Sequence, residues 1–350
     1  MTPWTPPLIS WTSKGLYCAD GDFYIDPQRA VSTAILTHAH SDHARKGSRR
    51  YFCAETSVGL VKSRLGQAIE IKGVPYRERI YFGHFGSAGE VAVSFHPAGH
   101  ILGSAQIRIQ RGSEVWVVSG DYKRERDPSC EPFEPVRCDT FVTEATFGTP
   151  KYSWKKDLEH GGAIHAWWRE NAKRHRNSVL FGYSLGKAQR ILAELAPYAE
   201  RPVLIHESIE EPSRCYREQG YALAPTRQLA SFAAAEKMHG ELVLAPPSIL
   251  KTEWFDRLGE FQTAFASGWM HGSSYIRQNA YDHGFVMSDH ADWGDLNRTI
   301  DETGASRVFV LHRDGALIRH LRQRGLDAHP AAALVPEAYH RIEPVNLSLF

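Results

Sequence analysis

The chain has 350 residues, enough for one large domain or two ordinary ones, each with its own core. Hydrophobic residues make up 42% and charged residues 23%, a globular composition, and no apolar run approaches the roughly 18–20 residues that span a bilayer. A net charge of +1 excludes a uniformly basic polyanion binder, although a carboxylate-rich metal site would subtract charge that bound cations restore.

The start, Met1 to Pro7, lacks the basic and apolar regions of a secretory signal. Cys18, Cys53, Cys130, Cys138 and Cys215 form no CxxC pair, and they read as reduced thiols of a cytoplasmic protein. Up to about Gly148 the pattern is short β runs broken by turns: Phe23–Ile25, Ala34–Leu36, Arg50–Phe52, Val91–Phe95, Gln106–Ile109, Val115–Val118 and Thr140–Thr143. Helix and strand then alternate: helix Gly162–Lys173, strand Ser178–Phe181, helix Lys187–Ala196, strand Pro202–Ile205 and strand Glu241–Leu244, continuing to about Ala266. That alternation implies a parallel α/β subdomain. Strand Gly284–Met287, a helix from Asp292, strand Val308–Leu311 and helix Gly315–Arg324 resume the first pattern. The order predicts a cap inserted into a first domain, as 1–158, 159–274 and 275–350.

Thr37-His38-Ala39-His40-Ser41-Asp42-His43 places three imidazoles and a carboxylate just after the apolar run Ala34–Leu36. On an extended segment His38, His40 and Asp42 share a face, and a turn could bring His43 round, so the segment can hold two neighbouring metals as well as one. With 18 histidines in the chain a chance His-rich loop is the alternative, but an HxHxDH pattern at a strand end is far more specific than a lone His. Other strand ends carry Asp26, His100, Asp121, Glu144, His290 and His312. Each alone is more often a turn former; together they supply a third His, a carboxylate able to bridge two cations and a further His to complete a second metal. Gly99 allows the sharp turn that aims His100 inward. Lys151-Tyr152-Ser153-Trp154-Lys155-Lys156 interleaves aromatics with lysines, as a base-stacking and phosphate-contact strip would. Lys173–Arg176 and Arg319–Arg324 read as solvated helix faces.

These residues, in this order, resemble the metallo-β-lactamase superfamily, and specifically its β-CASP nucleic-acid-processing branch. Phe181-Gly182-Tyr183-Ser184-Leu185-Gly186-Lys187-Ala188-Gln189-Arg190 is similar to that branch's cap signature. Asp121-Tyr122-Lys123-Arg124 leading to Asp127-Pro128, and Thr143–Gly148 running into Pro150-Lys151-Tyr152, resemble the bacterial ligase-associated DNA exonucleases. The second stretch is also similar to Artemis-type nucleases. The resemblance implies an α/β fold: an αββα sandwich with an inserted parallel α/β cap. It implies two divalent ions, most readily zinc, with manganese as the alternative. His38, His40 and His100 would hold one ion; Asp42, His43 and His312 the other; Asp121 would bridge them. A hydroxide activated by the pair would attack phosphorus. Asp26 would orient ligating histidines, His290 would protonate the leaving group, and Glu144 would hold His290 charged. Ser184, Lys187 and Arg190 at a helix start, with Lys151 and Tyr152, would meet substrate phosphate.

The expected activity is a DNA exonuclease trimming single strands or ends during repair, in functional association with a DNA ligase and a helicase, away from any membrane. An RNA-processing nuclease is the alternative. RNA-acting members keep a His at the position of His312 that many eukaryotic DNA-acting members lack, although Arg313-Asp314-Gly315 departs from the commoner His-Gly. A small-molecule hydrolase such as a thioesterase is disfavoured by the cap signature. A catalytically dead scaffold is disfavoured because every expected ligand position is filled.

Overall fold

Alternation along single strands sets the layering. In Glu114–Val118, Trp116 and Val118 join one hydrophobic core while Val117 joins another. Val142 and Phe141, and Phe309 and Val308, divide in the same way. Successive side chains point to opposite faces, so these strands belong to a sheet buried on both sides. The computed structural model describes residues 7–83, 90–156, 158–231, 238–251, 258–272, 281–311 and 315–335.

These residues form two compact units. The first comprises 1–124, 131–153 and 290–350 within its bounds; the second comprises 125–130 and 154–289. One sheet of the first unit runs in chain order through Ser10–Thr12, Gly15–Cys18, Phe23–Ile25, Thr33–Ile35, Arg50–Ala54 and Glu70–Val74. Its other sheet runs Asp327–Pro330, Arg307–Val310, Thr140–Thr143, Glu114–Val118, Ala105–Arg111, Val91–Pro97 and Arg79–Phe82. Phe23, Ile25 and Ile35 from the first sheet and Val93, Phe95, Ile107 and Trp116 from the second share one core. Helices Trp293–Thr303 and Gly315–Gln323 cover the second sheet's other face through Leu296, Ile300, Leu317 and Leu321. Each of these fully buried apolar side chains contributes roughly 1.5–3 kcal/mol.

The second unit holds an all-parallel sheet in the order Thr226–Gln228, Val203–Ile205, Leu242–Ala245, Asn177–Phe181, Phe261–Ser267 and His283–Val286. Helix Lys187–Leu195 follows its strand Asn177–Phe181 and buries Ile191, Leu192 and Leu195. His283–Val286 pairs with Phe261–Ser267, so this strand belongs to the parallel sheet and the second unit extends to Asp289. Among the described residues, no helix is long and apolar enough to cross a membrane. All five cysteines are free.

Candidate metal centre

The first sheet delivers the histidine cluster by ending early. Thr33–Ile35 is the last strand segment, and 36–44 leaves the sheet as a loop, not as a continuing strand. The amides of His43 and Ala44 both donate to His40 O, at 3.2 and 2.8 Å, closing a turn that swings His43 back until its ring centroid is 4.1 Å from that of His38. Asp42 does not share the inward face expected of it. It lies on the turn, with its side chain 69% exposed and Oδ2 3.7 Å from His43 Nε2.

His100 and Asp121 arrive from the second sheet. Gly99 sits at φ +71°, where a Cβ would come within 2.4 Å of Lys123 O, so the tight turn before His100 requires glycine. Ser104 Oγ then accepts the amides of His100 and Ile101 at 3.0 and 3.2 Å. Gly120, at φ +57°, lets the backbone before Asp121 pass Thr37, whose side chain would otherwise lie 2.6 Å from a Cβ.

The donor atoms converge. His40 Nδ1 is 3.1 Å from His38 Nε2 and 3.0 Å from His100 Nε2; Asp121 Oδ2 is 3.5 and 3.7 Å from the same two Nε2 atoms. Tetrahedral coordination with bonds of about 2.0–2.1 Å places ligand atoms roughly 3.3 Å apart, and the observed spacings bracket that value. The four side chains therefore fit a zinc-like cation. Asp121 Oδ2 also lies 3.5 Å from His43 Nε2, which makes it common to this group and to the Asp42–His43 pair. His312, expected to complete the second group, lies outside the described residues.

Hydrogen bonds fix the ring orientations. Asp26 holds a left-handed backbone at φ 44°, which a short polar side chain tolerates. Its Oδ1 accepts the Thr37 amide at 2.8 Å, and its Oδ2 accepts the Thr37 hydroxyl at 2.6 Å and His43 Nδ1–H at 2.7 Å. With its single proton on Asp26, Thr37 Oγ1 accepts from His38 Nδ1 at 3.0 Å. Both rings thus present Nε2 to the centre. Thr37 was not singled out as a working residue in the sequence reading; its signal is only its place before the first His.

Charge is distributed unevenly. Burial pushes the His38 imidazole well below the ordinary histidine range, with His43 adding to the effect. Burial also opposes charge on His43, but Asp121 and Asp26 outweigh it and hold that ring well above the usual range. For Asp121 burial acts upward, yet His43 and His290 hold the carboxyl well below its ordinary value.

Beside this centre, His290 Nδ1 lies 2.9 and 3.1 Å from the two oxygens of Glu144. Glu144 is buried and also accepts the Tyr122 amide at 2.7 Å and the Thr146 hydroxyl at 2.6 Å. The His290 ring is 4.8 Å from that of His100. One ligand atom each of Asp121, Glu144 and His290 also lies within 4.8 Å of the others, but the Glu144 oxygens are engaged by His290, Tyr122 and Thr146.

Residues expected to meet phosphate divide in two. Lys151 is exposed over the Tyr152 ring, 4.7 Å from its centroid; Tyr152 packs on Phe147, whose ring is 6.1 Å from His290. Trp154 is buried against His271, so the expected aromatic–lysine strip does not extend to it. Ser184 is half-buried and shares a hydrogen bond with Ser208, 2.7 Å between hydroxyls. Lys187 and Arg190 need correcting: at 2% and 1% exposure they point into the second unit and pair with carboxylates, because their helix is buried around nearly its whole circumference.

No family model matches the chain. It is 31% identical over 318 residues to a protein named "Probable DNA ligase" from Opitutus terrae, covering 90% of this chain and 30% of that protein. It is 29% identical over 147 residues to Ribonuclease TTHA0252 of Thermus thermophilus, covering 36% of this chain and 34% of the relative. It is 29% identical over 193 residues to cleavage and polyadenylation specificity factor subunit 3 of Dictyostelium discoideum, covering 53% and 23%. The chain thus spans about a third or less of the length of these curated relatives. A solved structure from Enterococcus faecalis V583, titled as a protein of unknown function, aligns with TM-score 0.53 at 13% identity over 79% of this chain and 74% of that one, a likeness of fold.

Proposed function

The chain belongs to the β-CASP branch of the metallo-β-lactamase superfamily, and from that premise we propose that it is a two-metal phosphodiesterase that shortens DNA ends. In this reading the two sheets of the first unit and their covering helices are an αββα sandwich, and the inserted unit is the cap, for which 159–274 was the expected span. The observation that carries the reading is Asp121 Oδ2, 3.5–3.7 Å from Nε2 of His38, His43 and His100, beside the Glu144–His290 pair.

His38, His40, His100 and Asp121 would hold one cation; Asp42, His43 and Asp121, with His312, the other. Such a pair, when bound, supplies the nucleophile and offsets charge developing on the phosphoryl oxygens. Zinc suits the nitrogen-rich group best, and manganese the carboxylate-richer one. Asp26 and Thr37 keep His38 and His43 aimed. Glu144 accepts His290 Nδ1–H, so His290 can give the proton on Nε2 to the leaving alkoxide. In this reading Lys151 and Tyr152 would contact substrate phosphate and bases, and Ser184 remains a candidate phosphate contact.

DNA is favoured over RNA by the extent of the likeness to the protein named as a DNA ligase, 90% of this chain. A ligase is accordingly the proposed functional partner, and the family resemblance adds a helicase. The reading assigns the protein to the cytoplasm, where free thiols such as Cys18 and Cys53 stay reduced. The RNA reading rests on the ribonuclease relatives. End-labelled single- and double-stranded DNA and RNA of one sequence, each tested with zinc and with manganese, separate the two. Faster degradation of DNA from its ends supports the proposal; degradation of RNA alone replaces it with the RNA reading.

A further inference from the structure

We propose that Lys187 and Arg190 are positioning residues that set the ring of His290 through the peptide leading into it, an inference that rests on the nuclease reading above. Lys187 Nζ donates to Met287 O at 2.5 Å and to Asp289 Oδ1 at 2.7 Å. Arg190 Nη1 donates to Ser288 O at 2.5 Å and lies 3.7 Å from Asp289 Oδ1. Three consecutive residues are thus gripped by two cations, and His290 comes next in the chain. The two cations stand three positions apart on helix Lys187–Leu195, which puts them on one side of it.

The helix start is itself locked. Gln189 Oε1 accepts the Gly186 amide at 2.8 Å, and Gln189 Nε2 donates to Ser184 O and to Ser213 Oγ, each at 3.0 Å. The side chains of Lys187, Gln189 and Arg190 therefore face inward, where a phosphate does not reach them. Arg190 also donates to Glu125 Oε2 at 3.0 Å and lies 3.7 Å from Asp127 Oδ2 and 3.8 Å from Glu194 Oε1. One guanidinium therefore holds both the stretch that follows Asp121 in sequence and the stretch that precedes His290.

A buried cation cluster of this size is weak evidence of a device for stability, since apolar replacements of buried ion pairs are often neutral or stabilising. What the cluster does provide is geometry. Beyond the gripped peptide, His290 Nδ1 meets Glu144 and the Ala291 amide donates to Tyr122 O at 2.7 Å, so the backbone is held on both sides of the proposed proton donor. A displacement of about 1 Å is enough to lower a rate about 100-fold.

The test compares wild type, Lys187→Met and Asp289→Asn on an end-labelled oligonucleotide at saturating metal, each also in a His290→Ala background. The expected result is a kcat loss of about 10- to 100-fold with KM held within about twofold, and no further loss once His290 is absent. Hydrogen exchange at the amides of residues 288–291 should quicken in both variants. Unchanged kcat in both, a rise in KM alone, or losses that persist in the His290→Ala background would overturn the inference while leaving the nuclease reading intact. If wild type cleaves neither DNA nor RNA, the nuclease reading fails, and the exchange measurement alone decides: unaltered exchange at 288–291 overturns the inference.

Discussion

His290 Nδ1 stands 2.9 Å from Glu144 Oε2, on a carboxylate whose remaining acceptor capacity is taken by the Tyr122 amide and the Thr146 hydroxyl. A carboxylate so fully engaged holds one ring in one orientation with its far nitrogen outward. Replacing His290 with Ala should lower kcat by about 10²- to 10⁴-fold, the usual contribution of a positioned acid. Glu144→Gln keeps the shape but loses the charge, and should cost about 10- to 100-fold. Initial rates at saturating substrate check both; a Glu144→Gln rate equal to wild type would contradict the pairing.

Asp26 and Thr37 hold the rings of His38 and His43, the proposed ligands, without being needed as ligands themselves. Asp26→Asn keeps a residue that tolerates the left-handed backbone at φ 44° but gives the His43 ring an amide in place of a carboxylate. Thr37→Val removes the hydroxyl between Asp26 and His38. Metal affinity should weaken about 10- to 100-fold in each. Competition against a chromogenic chelator measures this, and affinity unchanged in both variants would remove their assigned role.

Much of this centre could be read from the chain because each residue follows a short apolar run. Asp26 after Phe23–Ile25, Asp121 after Glu114–Val118 and Glu144 after Thr140–Thr143 all lie where a strand ends. The fate of Asp42 was not legible, since the period-two rule holds only while the strand lasts and this one stops at Ile35. Lys187 and Arg190 misled for a related reason. A cation at a helix start suggests an anion from outside, but whether the carboxylates arrive from solvent or from Glu125, Asp127 and Asp289 depends on contacts up to about a hundred residues away in sequence. Parallel pairing of His283–Val286 with Phe261–Ser267 was hidden too, because parallel neighbours share no hairpin turn that sequence could announce.

Glu125 gives a pH prediction for the second unit. Burial acts to raise its pKa, but the His160 hydrogen bond and the Arg190 charge outweigh it and bring it down to about 2. A depressed carboxyl stabilises the folded state above its unfolded pKa, and that stability is lost as pH falls toward the folded value. Acid unfolding should therefore steepen between about pH 4.5 and 2, and Glu125→Gln should flatten that limb. Denaturant midpoints across the window check the sign; identical pH slopes for the two proteins would contradict it.

The central claim is that one shared carboxylate organises two cations for phosphodiester cleavage, and Asp121→Asn tests it most directly. Metal content per chain and cleavage of end-labelled DNA should be measured together on wild type and variant, with circular dichroism recorded for both. Wild type is predicted to carry about two divalent ions and to cleave DNA, while Asp121→Asn keeps its fold, loses at least one ion and loses cleavage. Undiminished cleavage by Asp121→Asn, or cleavage by wild type stripped of metal, would contradict the account.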